Sequence, residues 1–239
     1  MHLAILMTNT DESTFADRHP KDGEKWRALL SPLCPDCKFS VYSVKDGEFP
    51  DRPLTDFDGL IVTGSPASVL DGAPWLDQLA QTIRQAEADK VPMFGACFGH
   101  QAIALALGGS VGKNADDWVF GVTETDIHSP APWMDAGKGP ILLNAAHEEQ
   151  VTRLPANARV IMGNQDCPNG GFAIDDHVFT TQYHPEITPE FMAALIDELS
   201  SVKPLNVIKR ARDSLAQQPE NTRISRWIFQ FFDGNKDPS

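Results

Sequence analysis

Basic residues are scarce in this chain of 239 amino acids: 20 Lys and Arg stand against 33 Asp and Glu, a formal net charge of −13. A chain so acidic gains little from releasing counterions off a phosphate backbone, which argues against a nucleic-acid partner. The acidic excess is scattered, as in Asp11-Glu12 and Asp175-Asp176, and reads as a solubilising surface. Membrane-spanning and secretory signals are missing too. The stretch Val91–Gly112 has no Lys, Arg, Asp or Glu, but Pro92, five glycines, His100 and Gln101 interrupt it. Met1–Met7 lacks a basic leader region, so neither a membrane nor a secretory signal is expected. No repeat, no Gly/Ser-rich linker and no Gly-x-x-x-x-Gly-Lys-Ser/Thr phosphate loop occurs.

Cysteine is sparse, with four residues, too few for a disulfide framework at this length. Cys34-Pro-Asp-Cys37 has the spacing of a redox pair or half a zinc site. No second such pair completes a zinc site, and the motif follows a helix-like segment instead of opening one. Neither thiol redox nor metal chemistry is expected there, and a cytoplasmic, reducing setting fits best.

What is present is ordinary for a globular protein: 41% hydrophobic and 22% charged residues. The length allows one large α/β domain or one domain with an appendage. Leu3–Met7, Phe39–Val44, Asp58–Thr63 and Val91–Gly95 read as strands. Glu24–Leu30, Pro74–Asp89 and Phe98–Leu107 have the helical period. This rhythm predicts a doubly wound, mainly parallel sheet. After Gly109 come short strand-like runs, Trp118–Ile127, Ile141–Ala145, Ala158–Met162 and Val178–Gln182, expected to complete the sheet and flank a cleft. A helix over Thr188–Leu199 has Thr188 as N-cap and Pro189 at its first position. The last forty residues predict two amphipathic helices, about Asn206–Gln217 and Thr222–Phe232, so residues 1–199 form the principal unit and 200–239 a helical extension packed on it. The stripe Ile224, Trp227, Ile228, Phe231 and Phe232 is too apolar to face water.

The sharpest chemical signal is Gly95-Ala-Cys97-Phe-Gly99-His-Gln101. A buried strand ends and a helix begins around Cys97, with glycines two residues before and two after. This is a nucleophile elbow with sulfur in place of a hydroxyl. Cys97 then stands at the positive end of a helix, which favours the thiolate. Such a nucleophile needs a base. His2 and His19 lie near the N-terminus, His128 and His177 in polar, surface-like segments, and His100 within the elbow helix, where packing or capping is expected. His184 follows a strand and so reaches the rim that carries Cys97. Glu186, two residues on, can bond its second ring nitrogen and fix the tautomer. His147 is the other histidine left.

The elbow, followed by Gly108-Gly109 and later by His184-Pro-Glu186, resembles the class I glutamine amidotransferases, the Cys-His-Glu triad family, over about Leu3–Leu199. The resemblance implies a flavodoxin-like α/β fold of the free-standing GMP-synthase-like or γ-glutamyl-hydrolysing type. It implies Cys97 as nucleophile, His184 as base and Glu186 as orienter. By the same similarity Ser65, in Thr63-Gly64-Ser65-Pro66, and Phe98 supply oxyanion-hole N–H groups, with Ser65 in place of the family's glycine. Gly64, Gln101 and His147 fall where substrate is bound. The segment Asn144–Val151 matches more loosely, with Ala146 and Glu149 replacing the family's Ser and Asp; there His147 stands equally for a substrate contact or a structural residue, and Trp118 equally for core or ligand contact. The implied reaction cleaves the γ-glutamyl amide of glutamine through a cysteine thioester, with no metal or other cofactor. A γ-glutamyl peptide hydrolase and a non-catalytic regulatory homologue are the alternatives. A separate ammonia-accepting synthase subunit is an implied possible partner.

Overall fold

Period-2 alternation in the first strand, β1 (His2–Met7), sets the two faces of the sheet. Leu3 and Ile5 join one core with Trp26, Phe94 and Phe179, whereas Ala4 and Leu6 join the other with Leu79, Ile83 and Ile103. In the computed structural model, which describes residues 1–114, 118–135 and 139–234, this strand is followed by α1 (Thr14–Asp17), α2 (Asp22–Leu30), β2 (Lys38–Ser43), β3 (Gly59–Val62), α3 (Pro74–Ala88), β4 (Met93–Ala96) and α4 (Phe98–Ala106). Next come β5 (Ser110–Lys113), β6 (Val119–Ile127), β7 (Ile141–His147), β8 (Glu149–Arg153), β9 (Arg159–Gly163), β10 (Gly171–Ile174) and β11 (Val178–Thr181). The chain closes on α5 (Pro189–Glu198), α6 (Leu205–Ser214) and α7 (Asn221–Phe232).

Nine strands form one sheet in the order β2-β1-β3-β4-β11-β10-β9-β6-β7. The first five are mutually parallel, and the remaining four add on antiparallel. Every residue of β3, β4 and β11 is buried, as central parallel strands covered on both faces require. α3 and α4 cover one face; α2 and α7 cover the other, where Ile224, Trp227, Ile228, Phe231 and Phe232 join the core of Leu3, Ile5 and Phe94. Phe232 fits because residue 59 has no side chain: a β-carbon there would lie 2.3 Å from its ring. Residues 235–239 of the C-terminal segment lie outside the described residues.

Several expectations are corrected. The sequence reading has no strand at β5, β8 or β10. β5 and β8 pair only with each other in a small separate sheet, and their mixed exposure gives no clean alternation. β10 is buried at every position, which erases the same signal. His177, expected on the surface, is 3% exposed. The tight β10–β11 hairpin turns it inward, where its Nε2 is 3.3 Å from Lys90 Nζ and 3.6 Å from Glu87 Oε1. Cys34 and Cys37, expected to carry no thiol chemistry, are joined by a disulfide. The turn after α2, in which Cys37 N–H donates to Cys34 O, brings their α-carbons to 5.3 Å, within a disulfide's span.

Candidate active site

β4 runs straight into α4 through a single residue, Cys97, at φ 49° and ψ −104°. A left-handed φ is costly for a residue with a side chain, so the surrounding contacts must hold it. Cys97 N–H donates to Thr181 O of β11, and Gly99 N–H donates to Thr63 O at the end of β3. The flanking glycines answer to crowding. A β-carbon at residue 95 would lie 2.6 Å from Ile103 Cδ1, and one at residue 99 would lie 2.1 Å from Val62 O. Cys97 is 5% exposed.

His184 arrives from the neighbouring strand. β11 pairs with β4 in parallel, Thr181 opposite Ala96, so the chain leaving β11 passes beside the Cys97 turn. His184 N–H donates to Asn144 O at 2.8 Å, and Asn144 Nδ2 donates to Ile187 O at 2.8 Å, which pins the backbone on either side of Glu186. Nδ1 of His184 lies 2.8 Å from Glu186 Oε1. Its other ring nitrogen, Nε2, is buried and has no hydrogen-bond partner among the described residues. His184 crowds Gly64: a β-carbon there would sit 2.9 Å from His184 Cε1, while Cys97 Cβ at 3.7 Å would be in ordinary contact. Glycine lets the β3 loop approach His184 so closely. Thr8 Oγ1 donates to the carbonyls of Thr63 and Gly64 and fixes that loop. The N–H groups of Ser65 and Phe98 have no acceptor among the described residues.

Two lobes of one cleft meet here. The first, about 190 Å³, is lined by Cys97, Gln101, His147, Lys113, Glu148 and Glu149. The second, about 150 Å³, is lined by His184, Glu186, Phe15, Asp22, Lys25, Ile187, Phe191, Leu195 and Leu199. Ser65, Pro66, Trp118 and Ala146 border both. The structure thus brings Cys97, His184, Glu186, Gly64, Ser65, Gln101 and His147 to one cleft. Gln101 Nε2 donates to Glu149 O at 2.7 Å and to Gln182 Oε1 at 3.2 Å. Gln182, Asn144, Asp22 and Lys25 are neighbours that sequence reasoning did not single out. The first two lay inside quoted motifs, but the α2 pair carries no motif at all. Among the described residues, no three His, Cys, Asp or Glu side chains cluster as a metal site would require.

The histidines divide by charge. Burial disfavours the His184 imidazolium, yet the adjacent Cys97 sulfur and Glu186 carboxylate outweigh it and hold the ring well above its ordinary pKa. Burial, with His184 adding repulsion, pushes His147 down to about 3. Burial and then His147 push His100 to about 3, and its Nδ1 packs 2.8 Å from Thr180 Oγ1. A histidine neutral in the fold and near 6.5 when unfolded costs stability as the unfolded chain takes up its proton. Stability should therefore fall as pH drops below about 6.5, by roughly 1.4 kcal/mol per unit for each of the two. His184 is charged in both states there and contributes no slope; its contribution is lost at higher pH, as pH rises through its raised folded value. Urea titrations between pH 6.5 and 5, above the ordinary carboxylate range, measure the effect. His100→Asn should remove part of the slope, the rest being carried by His147 and by His177, which burial also pushes down, and an unchanged slope would exclude the neutral-histidine account.

The sequence matches the family described as glutamine amidotransferase class-I over residues 35–198. Gamma-glutamyl peptidase 2 of Arabidopsis thaliana is 27% identical over 236 residues, covering 95% of this chain and 88% of that protein. The glutamine-hydrolyzing GMP synthase of Porphyromonas gingivalis is 30% identical over 136 residues, covering 56% of this chain and 26% of the synthase. A glutamine amidotransferase of Thermotoga maritima, known from its crystal structure, superposes with a TM-score of 0.74 over 97% of each chain at 18% identity. One from Methylobacillus flagellatus gives 0.75 over 100% of this chain and 95% of that one, also at 18% identity. At such low identity these two structures show a shared fold.

Proposed function

The chain belongs to the class I glutamine amidotransferase family, and from that premise we propose that it hydrolyses γ-glutamyl amides, glutamine being the simplest, through a thioester on Cys97. The observation that carries this reading is the geometry of His184. Its Nδ1 is engaged by Glu186, its Nε2 makes no other hydrogen bond among the described residues, and the Cys97 sulfur lies beside the ring.

Cys97 Sγ attacks the γ-carbonyl carbon as a thiolate, and the N–H groups of Ser65 and Phe98 receive the developing oxyanion. The C–N bond breaks as His184 Nε2 gives its proton to the departing amine, which is ammonia when glutamine is the substrate. His184, now neutral, takes a proton from water; hydroxide adds to the thioester, the C–S bond breaks, and glutamate leaves. Glu186 holds Nδ1 and stabilises the imidazolium. Gln101 and His147 border the space for the γ-glutamyl group, and Gly64 lies on the His184 side of the cleft. His147 is neutral there, so it serves as a hydrogen-bonding wall and not as a second acid.

A second reading, hydrolysis of γ-glutamyl peptides, is favoured by the lobe beside His184, which ammonia does not need. In the first reading ammonia passes to a separate synthase subunit, in keeping with the partial match to GMP synthase. The reaction is tested by incubating the purified protein with glutamine and with γ-glutamyl dipeptides and measuring glutamate. An electrophilic glutamine analogue should label Cys97 alone and stop the release. Labelling at Cys167, or release that survives full labelling of Cys97, would reject the assignment.

A further inference from the structure

Attack by Cys97 and protonation by His184 give a γ-glutamyl amide a direction across the cleft. The carbonyl side must lie toward the lobe that Cys97 lines; the amine side must lie toward the lobe that His184 and Glu186 line. We infer, resting on the γ-glutamyl reading above, that the lobe walled by Ile187, Phe191, Leu195 and Leu199 is a leaving-group pocket. Its preferred substrates are γ-glutamyl amides of amino acids or peptides whose residue next to the scissile bond is apolar.

Size is the first argument. Ammonia fills no lobe, whereas an apolar cavity of about 150 Å³ takes a benzene-sized guest, the scale of a leucine or phenylalanine side chain. Chemistry is the second. The four walls offer only aliphatic and aromatic carbon, from residues of α5 and the turns on either side of it. Charge is the third. Both cations in the lining are already paired: Lys25 is bonded to Asp22 Oδ1 at 3.0 Å, with its ammonium 4.0 Å from the centre of the Phe191 ring, and the His184 ring is held by Glu186 at 2.8 Å. Asp22 cancels Lys25 and Glu186 cancels His184, which leaves Asp11 to repel an acidic leaving group. The pocket therefore selects for apolar residues and against acidic ones.

The test is a kcat/KM panel, read by glutamate release, with glutamine and with γ-glutamyl-glycine, -leucine, -phenylalanine and -glutamate. The leucine and phenylalanine peptides should exceed the glycine peptide by roughly 10- to 100-fold, the scale of filling one hydrophobic pocket. The glutamate peptide should fall below glycine. Leu195→Trp, which fills the lobe, should bring the leucine-to-glycine ratio to within about threefold of one, and Leu195→Ala should lower it through lost contact. Thermal melting and stoichiometric alkylation of Cys97 would verify that each variant is folded. Equal kcat/KM across the panel, or Leu195 variants that shift all substrates in parallel, would overturn the pocket and leave γ-glutamyl hydrolysis standing. No glutamate from any substrate would overturn the reading beneath it.

Discussion

Cys97→Ser is expected to keep the fold and to lower kcat/KM for γ-glutamyl hydrolysis by roughly 10⁴-fold or more, the scale on which removal of a triad member acts. The swap is nearly isosteric in a buried turn, so thermal unfolding should hardly move. Catalysis has no such tolerance, because a serine hydroxyl beside an already protonated imidazole is not the nucleophile that a thiolate is. His184→Ala should lose nearly as much, since in the proposed mechanism Nε2 is both the acid for the amine and the base for water. Glu186→Gln should lose less, about 10²-fold, because an amide oxygen can still accept from Nδ1 while its charge is gone. Steady-state glutamate release separates the three. A Cys97→Ser enzyme with a few per cent of activity would displace Cys97 from its role. A Glu186→Gln enzyme as dead as Cys97→Ser would give Glu186 a part in proton transfer.

Removing everything after Leu199 is the second large effect, and it falls on stability. α7 places Ile224, Trp227, Ile228, Phe231 and Phe232 at 0–7% exposure. At about 1.5–3 kcal/mol each, these side chains contribute as much as the whole stability of a typical domain, roughly 5–15 kcal/mol. The truncated chain should be insoluble or lack a cooperative melt. A gentler probe is Trp227→Ala, expected to cost about 3–5 kcal/mol and to lower Tm by roughly 10 °C or more. That change also removes the indole N–H bond to Asp135 Oδ1. A truncated protein with unaltered Tm, soluble but unable to bind another protein, would make α7 a docking arm instead.

The legible parts of the molecule were those whose physics is local. Gly95 and Gly99 betray a turn too tight for side chains, and the clashes of 2.6 and 2.1 Å show why glycine stands there. The α7 stripe announced a buried face because its spacing is helical. The antiparallel half was read less well. β10 is apolar for all of its length because both its faces are covered, and β8 is half in water, so neither shows period 2. His177 was misplaced because its polar neighbours Asp175 and Asp176 form the outside of a turn whose inside is the histidine. The second lobe was not legible at all. It joins α1, α2, the β3 loop and α5, and no short stretch of sequence records that meeting.

The glycines that permit the Cys97 turn lie within five residues of chain, but the bond from its N–H to Thr181 O comes only with β11. The nitrogen that would serve it is 87 positions further on, and the two meet only when β11 slots between β4 and β10. A growing chain would thus carry its thiol through the synthesis of six further strands without the histidine or the Thr181 carbonyl that holds the turn. That insertion both completes the row of central strands and brings in the proposed base. Competence is a property of the closed sheet, gained in one step and not by degrees.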